Sequence, residues 1–279
     1  MAPAIPPGSL ILVTGCNGFI GVAGVAHVAS ILSFDPNPYK VIPDVIAGAV
    51  NAATSASKES SVKRFVYTSS STAITAPKPN VEFTISTHDW NTEDVNAAWK
   101  PPPYEPERAW AVYGASKTQA EQEMWKFVKE KKPNFVLNTV LPNTNMGEIL
   151  HENQPASTGA WVKGIYEGSI DHIKDIPPQW MVNVKDTARL HVAALIDPGI
   201  ENERILAFCS PFNWNDVLAC LGRLYPQKTF PDDIEDEPRD LSKLNNSRGA
   251  DLLKSFGRPG WTSLEESVRD NTAGLQLKK

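Results

Sequence analysis

Cysteine is scarce in this 279-residue sequence, with only Cys16, Cys209 and Cys220 present. The three positions match no metal-ligand spacing, and an odd number cannot all pair, so free thiols in a reducing compartment are expected. The five histidines also lack any spacing typical of a metal site. The sequence therefore predicts neither a disulfide framework nor a bound metal.

Long apolar stretches and long blocks of like charge are also missing. No apolar stretch approaches the ~20 residues that a membrane helix needs, and the first residues do not have the pattern of a signal peptide. The net charge of −5 is spread along the chain without blocks of like charge, so nucleic acid and acidic membranes are not expected partners. With 41% hydrophobic residues, the composition predicts a soluble, globular, cytoplasmic protein.

Apolar runs alternate with helical patterns along most of the chain. Strand-like runs occupy 9–14 (SLILVT), 24–30 (GVAHVAS), 62–70 (VKRFVYTSS), 135–141 (FVLNTVL) and 204–208 (RILAF). Helical patterns cover 41–58, 107–131, a segment that starts at Asp186 with that residue as its N-cap, and 215–224. The first run is expected to be buried on both faces. This alternation predicts an α/β fold with a parallel sheet covered on both sides.

Two segments carry additional information. Residues 71–108 are rich in proline and long for a loop, and loops of this length are usually either functional or disordered. The helix at 107–131 has apolar residues at helical spacing, and charged residues alternate between them. The members of that charged set are Glu121, Glu123, Lys126 and Lys129.

Three glycines, Gly15, Gly18 and Gly21, directly follow the first strand in the string VTGCNGFIG. Glycines permit a tight turn and allow backbone N–H groups to approach a pyrophosphate. A glycine-rich loop can also simply connect two elements. Its position after an N-terminal strand favours a dinucleotide site.

Tyr113 and Lys117, in VYGASK, are four residues apart and share one face of the predicted helix. An ammonium beside a phenol favours the phenolate and would lower the tyrosine pKa, making the group a usable acid or base. Ser70 ends a strand at the carboxyl edge of the predicted sheet, where ligands bind. Alone, the pair could arise by chance and Ser70 could simply satisfy loop backbone. The order of the motifs along the chain is more specific.

The strings TGCNGFIG, FVYTSSS, VYGASK and VLPN (140–143) together resemble the extended short-chain dehydrogenase/reductase family. The sequence is most similar to fungal NADPH-dependent aldehyde and ketone reductases, which are themselves similar to plant dihydroflavonol reductases. The resemblance extends from Gly8 to Leu275 and includes the ending GRPGWTSLEESVRDN. It implies a Rossmann-like doubly wound sheet and the reduction of a small carbonyl substrate to an alcohol.

The resemblance also implies roles for particular residues. Ser70 would orient the carbonyl, Tyr113 would protonate its oxygen, and Lys117 would lower the tyrosine pKa and hold the nicotinamide ribose. Pro142 and Asn143 would lie beside the nicotinamide. The implied NADP(H)-binding residues are Thr14, Gly15, Asn17, Gly18, Phe19, Ile20, Gly21, Ala29, Ser30, Thr68, Tyr113, Lys117, Pro142 and Asn143.

The resemblance implies two domains. Residues 1–145 would form the dinucleotide-binding domain with the catalytic Ser-Tyr-Lys set. Residues 146–279 would form a smaller substrate-binding part, with a segment near 180–197 returning to the Rossmann core.

One segment of the family pattern is missing after Gly21. The helix after the first strand, the second and third strands and the residue that distinguishes NAD from NADP are absent. A loss on the order of 50 residues is implied, since one βαβ unit takes ~30 or more. The first strand would become an exposed sheet edge. Because a parallel crossover takes a dozen or more residues, we expect this strand to be displaced or not to pair as in the family.

The sequence leaves three functional interpretations. An NADPH-dependent carbonyl reductase with impaired cofactor binding is the first. A catalytically silent remnant or regulatory binder is the second, and an epimerase or dehydratase with the same triad is the third. His27 is interpreted as a packed core residue and Asp186 as a cap rather than a catalytic acid. Trp110, Trp161 and Trp180 fit either a substrate pocket or the core.

Overall fold

The protein is described by a computed structural model over residues 3–13, 22–151 and 157–275. Its helices are α1 (Ile42–Lys58), α2 (Thr92–Ala98), α3 (Ala109–Lys131), α4 (Gly159–Tyr166), α5 (Val184–Ile196), α6 (Trp214–Leu224), α7 (Ser247–Ser255) and α8 (Leu264–Thr272). Its strands are β1 (Leu10–Val13), β2 (Val22–His27), β3 (Arg64–Thr68), β4 (Thr84–Ile85), β5 (Val136–Pro142), β6 (Thr144–Met146), β7 (Gln179–Asn183), β8 (Arg204–Ala207), β9 (Ser210–Phe212) and β10 (Lys243–Leu244).

The chain forms two compact units. The first consists of Met1–Ala76, Ser86–Leu141 and Leu190–Leu206, and the second of Pro77–Ile85, Pro142–Arg189 and Ala207–Lys279. Both are therefore discontinuous in sequence. The domain division at residue 145 stays a prediction.

The first unit is built on a five-stranded sheet in the order β1-β2-β3-β5-β8. The pairs β1–β2, β2–β3 and β3–β5 are parallel. Alternate residues of a strand point to opposite faces, and Val25, Phe65 and Leu137 pack with α1 and α3 on one of them. On the other face, Gly24 is close to the side chain of Leu195 on α5. The predicted α/β class with a doubly wound parallel sheet is confirmed.

The predicted first strand is confirmed as an edge, but its predicted burial on both faces is wrong. Among the residues that the structure describes, it pairs on one side only, and Leu10 and Val13 are 60% and 42% exposed. The expectation of a displaced or differently paired strand is also wrong, because Leu10–Val13 pairs in parallel with Val22–Ala26. The eight residues between Val13 and Val22 can reach ~26 Å, which exceeds the rise of a four-residue strand.

The exposed edge predicts self-association of the chain. An unpaired apolar edge strand is a template for another chain, and a lysine on it opposes such pairing. We expect Leu10→Lys to reduce light scattering by concentrated protein. Leu150→Lys is the matched control, because Leu150 is 88% exposed and lies outside any strand. Equal scattering by all three proteins would show that the edge drives no association.

The segment at 71–108 is more structured than a loop. It contains the two-residue strand β4 and the helix α2, whose first turn is capped by the side chain of Asn91. Asn91 accepts a hydrogen bond from the backbone N–H of Asp94 at 3.0 Å and donates to the carbonyl of Thr72 at 2.8 Å. The helix is thereby fixed to the turn that follows β3.

The prediction that Asp186 caps its helix is wrong. The helix α5 begins at Val184, and Asp186 is fully buried in its first turn. Its carboxylate accepts hydrogen bonds from the backbone of Thr262 at 2.7 Å and from Arg189 at 2.8 Å. The carboxylate of Asp186 is therefore bound by the backbone N–H of a residue 76 positions later in the sequence.

The second unit has a separate core around a sheet in the order β6-β7-β9. Trp161 packs edge-on against Trp214 in this core, and Trp180 is 7% exposed with its indole N–H donating to Ser242. Trp180 is therefore buried, and Trp161 is partly buried against the core of this unit. In the described ranges, no helix is long and apolar enough to cross a membrane and no acid, histidine or cysteine cluster could hold a metal.

Candidate active site

Ser70 lies immediately beyond the carboxyl end of β3, at the start of the short helical turn Ser71–Ala73. Because β3 is the central strand of the sheet, Ser70 lies at the middle of its carboxyl edge. Ser70 is 7% exposed. The Ser70 hydroxyl accepts hydrogen bonds from the backbone N–H and the hydroxyl of Thr72, at 3.2 and 3.0 Å. These contacts fix its rotamer.

Tyr113 lies in the first part of α3, with its phenol close to the side chain of Ser70. Burial raises the pKa of Tyr113, while the hydrogen bond from Ser70 opposes the rise. The shift is upward, opposite to the lowering that the sequence predicted. The phenol is therefore protonated at neutral pH.

Lys117 lies one turn after Tyr113 and is 4% exposed. Its ammonium donates to the carbonyl of Thr68 at 3.4 Å. Burial lowers the pKa of Lys117 to about 8, while the charge of Glu121 opposes the fall. The structure thus brings Ser70, Tyr113 and Lys117 to one end of β3 within the first unit.

Two histidines flank this group. Thr68, the last residue of β3, has its hydroxyl 2.7 Å from Nε2 of His191. His27 is 6% exposed and stacked on Tyr67 at a ring separation of 5.9 Å, which confirms it as a packed core residue. Burial and the charge of Lys117 lower the pKa of His27 to about 4, so its imidazole is neutral near pH 7.

Two exposed aromatic rings lie against Tyr113. Phe34 is 5.4 Å from the Tyr113 ring and 4.9 Å from that of Trp110, measured between centroids. Phe34 and Trp110 are 42% and 45% exposed, so neither is a core residue. An apolar surface therefore borders the tyrosine.

Sequence reasoning assigned Glu121 no role beyond that of one charged residue among several on α3, and its burial was not predicted. Glu121 is fully buried and forms a bidentate ion pair with Arg204, at 2.8 and 3.1 Å. Its spacing of four from Lys117 was visible, but its partner is 83 residues away. The signal that could have found it is this continuation of the Tyr113–Lys117 face by one more turn.

Gly114 follows the candidate catalytic tyrosine and allows a close approach that sequence reasoning also missed. A Cβ at this position would collide with the carboxylate of Asp94 on α2. Burial raises the pKa of Asp94 to about 6, and the hydrogen bond from Asn91 opposes the rise. The absence of a side chain at Gly114 therefore lets α2 pack on α3 beside Tyr113.

We expect Gly114→Ala to lower the free energy of unfolding by ~1–3 kcal/mol, because the added methyl must displace the carboxylate. The matched control is Gly48→Ala in α1, where no atom lies within 4 Å of the added Cβ. That change should be neutral or stabilise by ~0.5–1 kcal/mol. Urea unfolding compares the two, and equal effects would refute the close approach.

The predicted cofactor residues other than Thr68, Tyr113 and Lys117 divide into three groups. Thr14, Gly15, Asn17, Gly18, Phe19, Ile20 and Gly21 lie outside the described residues. Ala29 and Ser30 are exposed beyond the end of β2. Pro142 ends β5, and Asn143 donates its backbone N–H to Ala207 at 3.3 Å within the second unit.

The nicotinamide-ribose end of a dinucleotide fits the residues of the first unit. An ammonium carries three donors, and among the described residues Lys117 uses one of them, in the 3.4 Å contact with Thr68. A buried ammonium needs further acceptors, and ribose hydroxyls can supply them. Tyr113 and Lys117 are therefore the described residues that would hold that end.

Similar proteins were found among curated sequences and solved structures. The chain is 44% identical over 253 residues to aldehyde reductase 2 of Sporidiobolus salmonicolor, covering 90% of this chain and 74% of that protein. It is 41% identical over 249 residues to an NAD-dependent epimerase/dehydratase of Aspergillus terreus, covering 88% and 73%. The chain thus spans about three quarters of both relatives.

Among solved structures, yeast methylglyoxal/isovaleraldehyde reductase Gre2 complexed with NADPH has a TM-score of 0.73 at 21% identity, covering 92% of this chain and 77% of that one. This likeness shows the fold. No family model matches the chain. An identity of 44% over nine tenths of this chain and three quarters of the relative is high enough to assign the family. The chain belongs to the extended short-chain dehydrogenase/reductase family.

Proposed function

We propose that this chain reduces an aldehyde or ketone to an alcohol with NADPH. The observation that carries the proposal is the placement of Ser70 beyond the end of a central parallel strand, close to Tyr113 and Lys117 on α3. Lys117 lies one turn further on the same helix face. Aldehyde reductase 2, 44% identical to this chain, supports the reaction class.

The proposed chemistry assigns one task to each side chain. NADPH, when bound, supplies the hydride. The Ser70 hydroxyl holds the substrate carbonyl oxygen, and the Tyr113 hydroxyl donates its proton to that oxygen as negative charge develops there. Because burial raises the pKa of Tyr113, the phenol carries the proton that reduction requires. The ammonium of Lys117 stabilises the phenolate left behind.

The substrate class follows from the surroundings of the tyrosine. Phe34 and Trp110 present exposed rings against Tyr113. Aromatic faces bury apolar groups efficiently, so the proposed substrate is an aldehyde or ketone with an apolar or aromatic substituent. A cytoplasmic location, and no nucleic-acid or membrane partner, complete the proposal.

Cofactor affinity is proposed to be weak. The family's helix and strands after Gly21 are missing from the sequence, and with them the helix N-terminus that attracts the pyrophosphate. NADPH would then depend on the glycine turn and on the nicotinamide end. The silent remnant is the second candidate, and the missing segment is the observation that favours it.

The test is conversion of benzaldehyde with excess NADPH by the purified chain, followed by chromatography of the alcohol. Reductase activity predicts one benzyl alcohol formed for each NADPH consumed, at a rate limited by cofactor concentration. The similarity to an epimerase/dehydratase makes a sugar nucleotide with NAD the comparison reaction. Folded protein that makes no alcohol would refute the reductase proposal.

A further inference from the structure

Glu121 continues the functional face of α3. Tyr113, Lys117 and Glu121 are spaced four residues apart, so all three lie along one side of the helix. Glu121 is fully buried, and a buried carboxylate is costly unless several donors satisfy it. Its carboxylate receives five hydrogen bonds. The donors are Ser69, Trp125, Thr139, and Nε and Nη2 of Arg204.

Two of these donors connect the neighbouring strands β3 and β5 to the helix α3. The hydroxyl of Ser69, the neighbour of Ser70, donates to Glu121 at 2.6 Å. Thr139 on β5, which is paired with Tyr67 on β3, donates at 2.8 Å. Glu121 therefore joins the strand ends that carry Ser70 to the helix that carries Tyr113 and Lys117.

Arg204 extends the same connection to the segment before α2. Its Nη1 donates to the backbone carbonyls of Thr87 and Asp89, at 2.6 and 2.8 Å. Its guanidinium lies 3.9 Å from the ring centroid of Trp90. The Arg204 side chain is 10% exposed and the Glu121 side chain is fully buried. Salt therefore screens this pair far less than a surface ion pair.

We propose that Glu121, held by Arg204, is a positioning residue that keeps Lys117 protonated and fixes Ser70 against Tyr113 for the proposed carbonyl reduction. This inference rests on the proposed function for its catalytic consequence. Its electrostatic part concerns the protein alone and can be measured without substrate.

The groups that bear on the protonation of Lys117 come from four elements, α3, β2, β3 and β8. Glu121 opposes the lowering that burial imposes on the pKa of Lys117, and Arg204 in turn faces Glu121 from β8. Removing the Glu121 charge should therefore lower the pKa of Lys117 further. The titratable and charged groups around the Lys117–Glu121 pair are Tyr113 on α3, His27 on β2, Tyr67 on β3 and Arg204 on β8.

The experiment measures the acetylation of Lys117 by acetic anhydride against pH, by mass spectrometry of its peptide. The wild-type midpoint is expected near the pKa of about 8. In Glu121→Gln, which keeps the side-chain shape and loses the charge, the midpoint should fall by about one pH unit. An unchanged midpoint in folded Glu121→Gln protein overturns the proposal.

A second variant covers the case in which Glu121→Gln leaves Arg204 as a buried unpaired charge and unfolds the protein. Glu121→Gln/Arg204→Met removes both charges and should show the same lowered midpoint. The matched control is Asp186→Asn, because Asp186 is also a fully buried carboxylate paired with an arginine. Its midpoint for Lys117 should remain that of the wild type, and an equal fall there overturns the proposal.

Turnover separates the two proposals. If the wild-type chain reduces benzaldehyde, Glu121→Gln should lower kcat on the order of tenfold with little change in KM, and move the alkaline limb of the pH profile in parallel with the labelling midpoint. A fall in the labelling midpoint without any wild-type turnover would refute the proposed function while the Lys117–Glu121 coupling stands.

Discussion

Replacing Tyr113 with phenylalanine should reduce the rate of carbonyl reduction by ~10²–10⁴-fold, the range found for a positioned general acid. The change removes the hydroxyl that contacts Ser70 and keeps the ring that packs on Phe34 and Trp110. NADPH affinity should change little, because the Lys117 ammonium and the ring of Tyr113 would still contact the nicotinamide-ribose end. Single-turnover reduction of benzaldehyde at saturating NADPH measures the effect.

The control is Tyr39→Phe, which removes the same atom from a tyrosine that is 67% exposed and packs on Trp99. Its turnover should equal that of the wild type. A Tyr113→Phe protein that retains most of its activity would show that another group delivers the proton.

Replacing Arg204 with alanine should lower the free energy of unfolding by ~3–5 kcal/mol, the cost of leaving one member of a buried ion pair unpaired. Glu121 would remain fully buried with two fewer hydrogen bonds. The carbonyls of Thr87 and Asp89 would lose their donor as well. Urea unfolding at neutral pH measures the change.

Arg269→Ala is the comparison for that loss. Arg269 pairs with Glu265 at 3.4 Å on an exposed helix face, and such pairs contribute ~0–1 kcal/mol. If Arg204→Ala lowers the free energy of unfolding no more than Arg269→Ala does, the buried Glu121–Arg204 pair does not stabilise the fold as proposed.

The elements of the sheet could be predicted because their signals are local. Apolar runs predicted β1, β2, β3, β5 and β8 at nearly their observed positions. The missing segment also predicted that β1 would be an edge, since the lost strands of the family order lie beyond it. The local hydrophobic pattern and the strand order of the family were sufficient to predict the strand positions and the edge position of β1.

The burial of charged residues could not be predicted, because it depends on partners distant in sequence. Glu121 looks like one charge among several on α3 until Arg204, 83 residues later, is brought against it by β8. Asp186 similarly resembles a cap until the backbone of Thr262 reaches it. The approach of Asp94 to Gly114 requires α2 and α3 to pack together, which no pattern within either helix discloses.

The most direct test of the account is a titration of NADPH into the purified 279-residue chain, followed by the fluorescence of the cofactor. The account predicts weak but saturable binding, since Tyr113 and Lys117 are in place while the segment after Gly21 is missing. No saturable change with folded protein, at any cofactor concentration that the method allows, would contradict the claim that this shortened chain is a reductase.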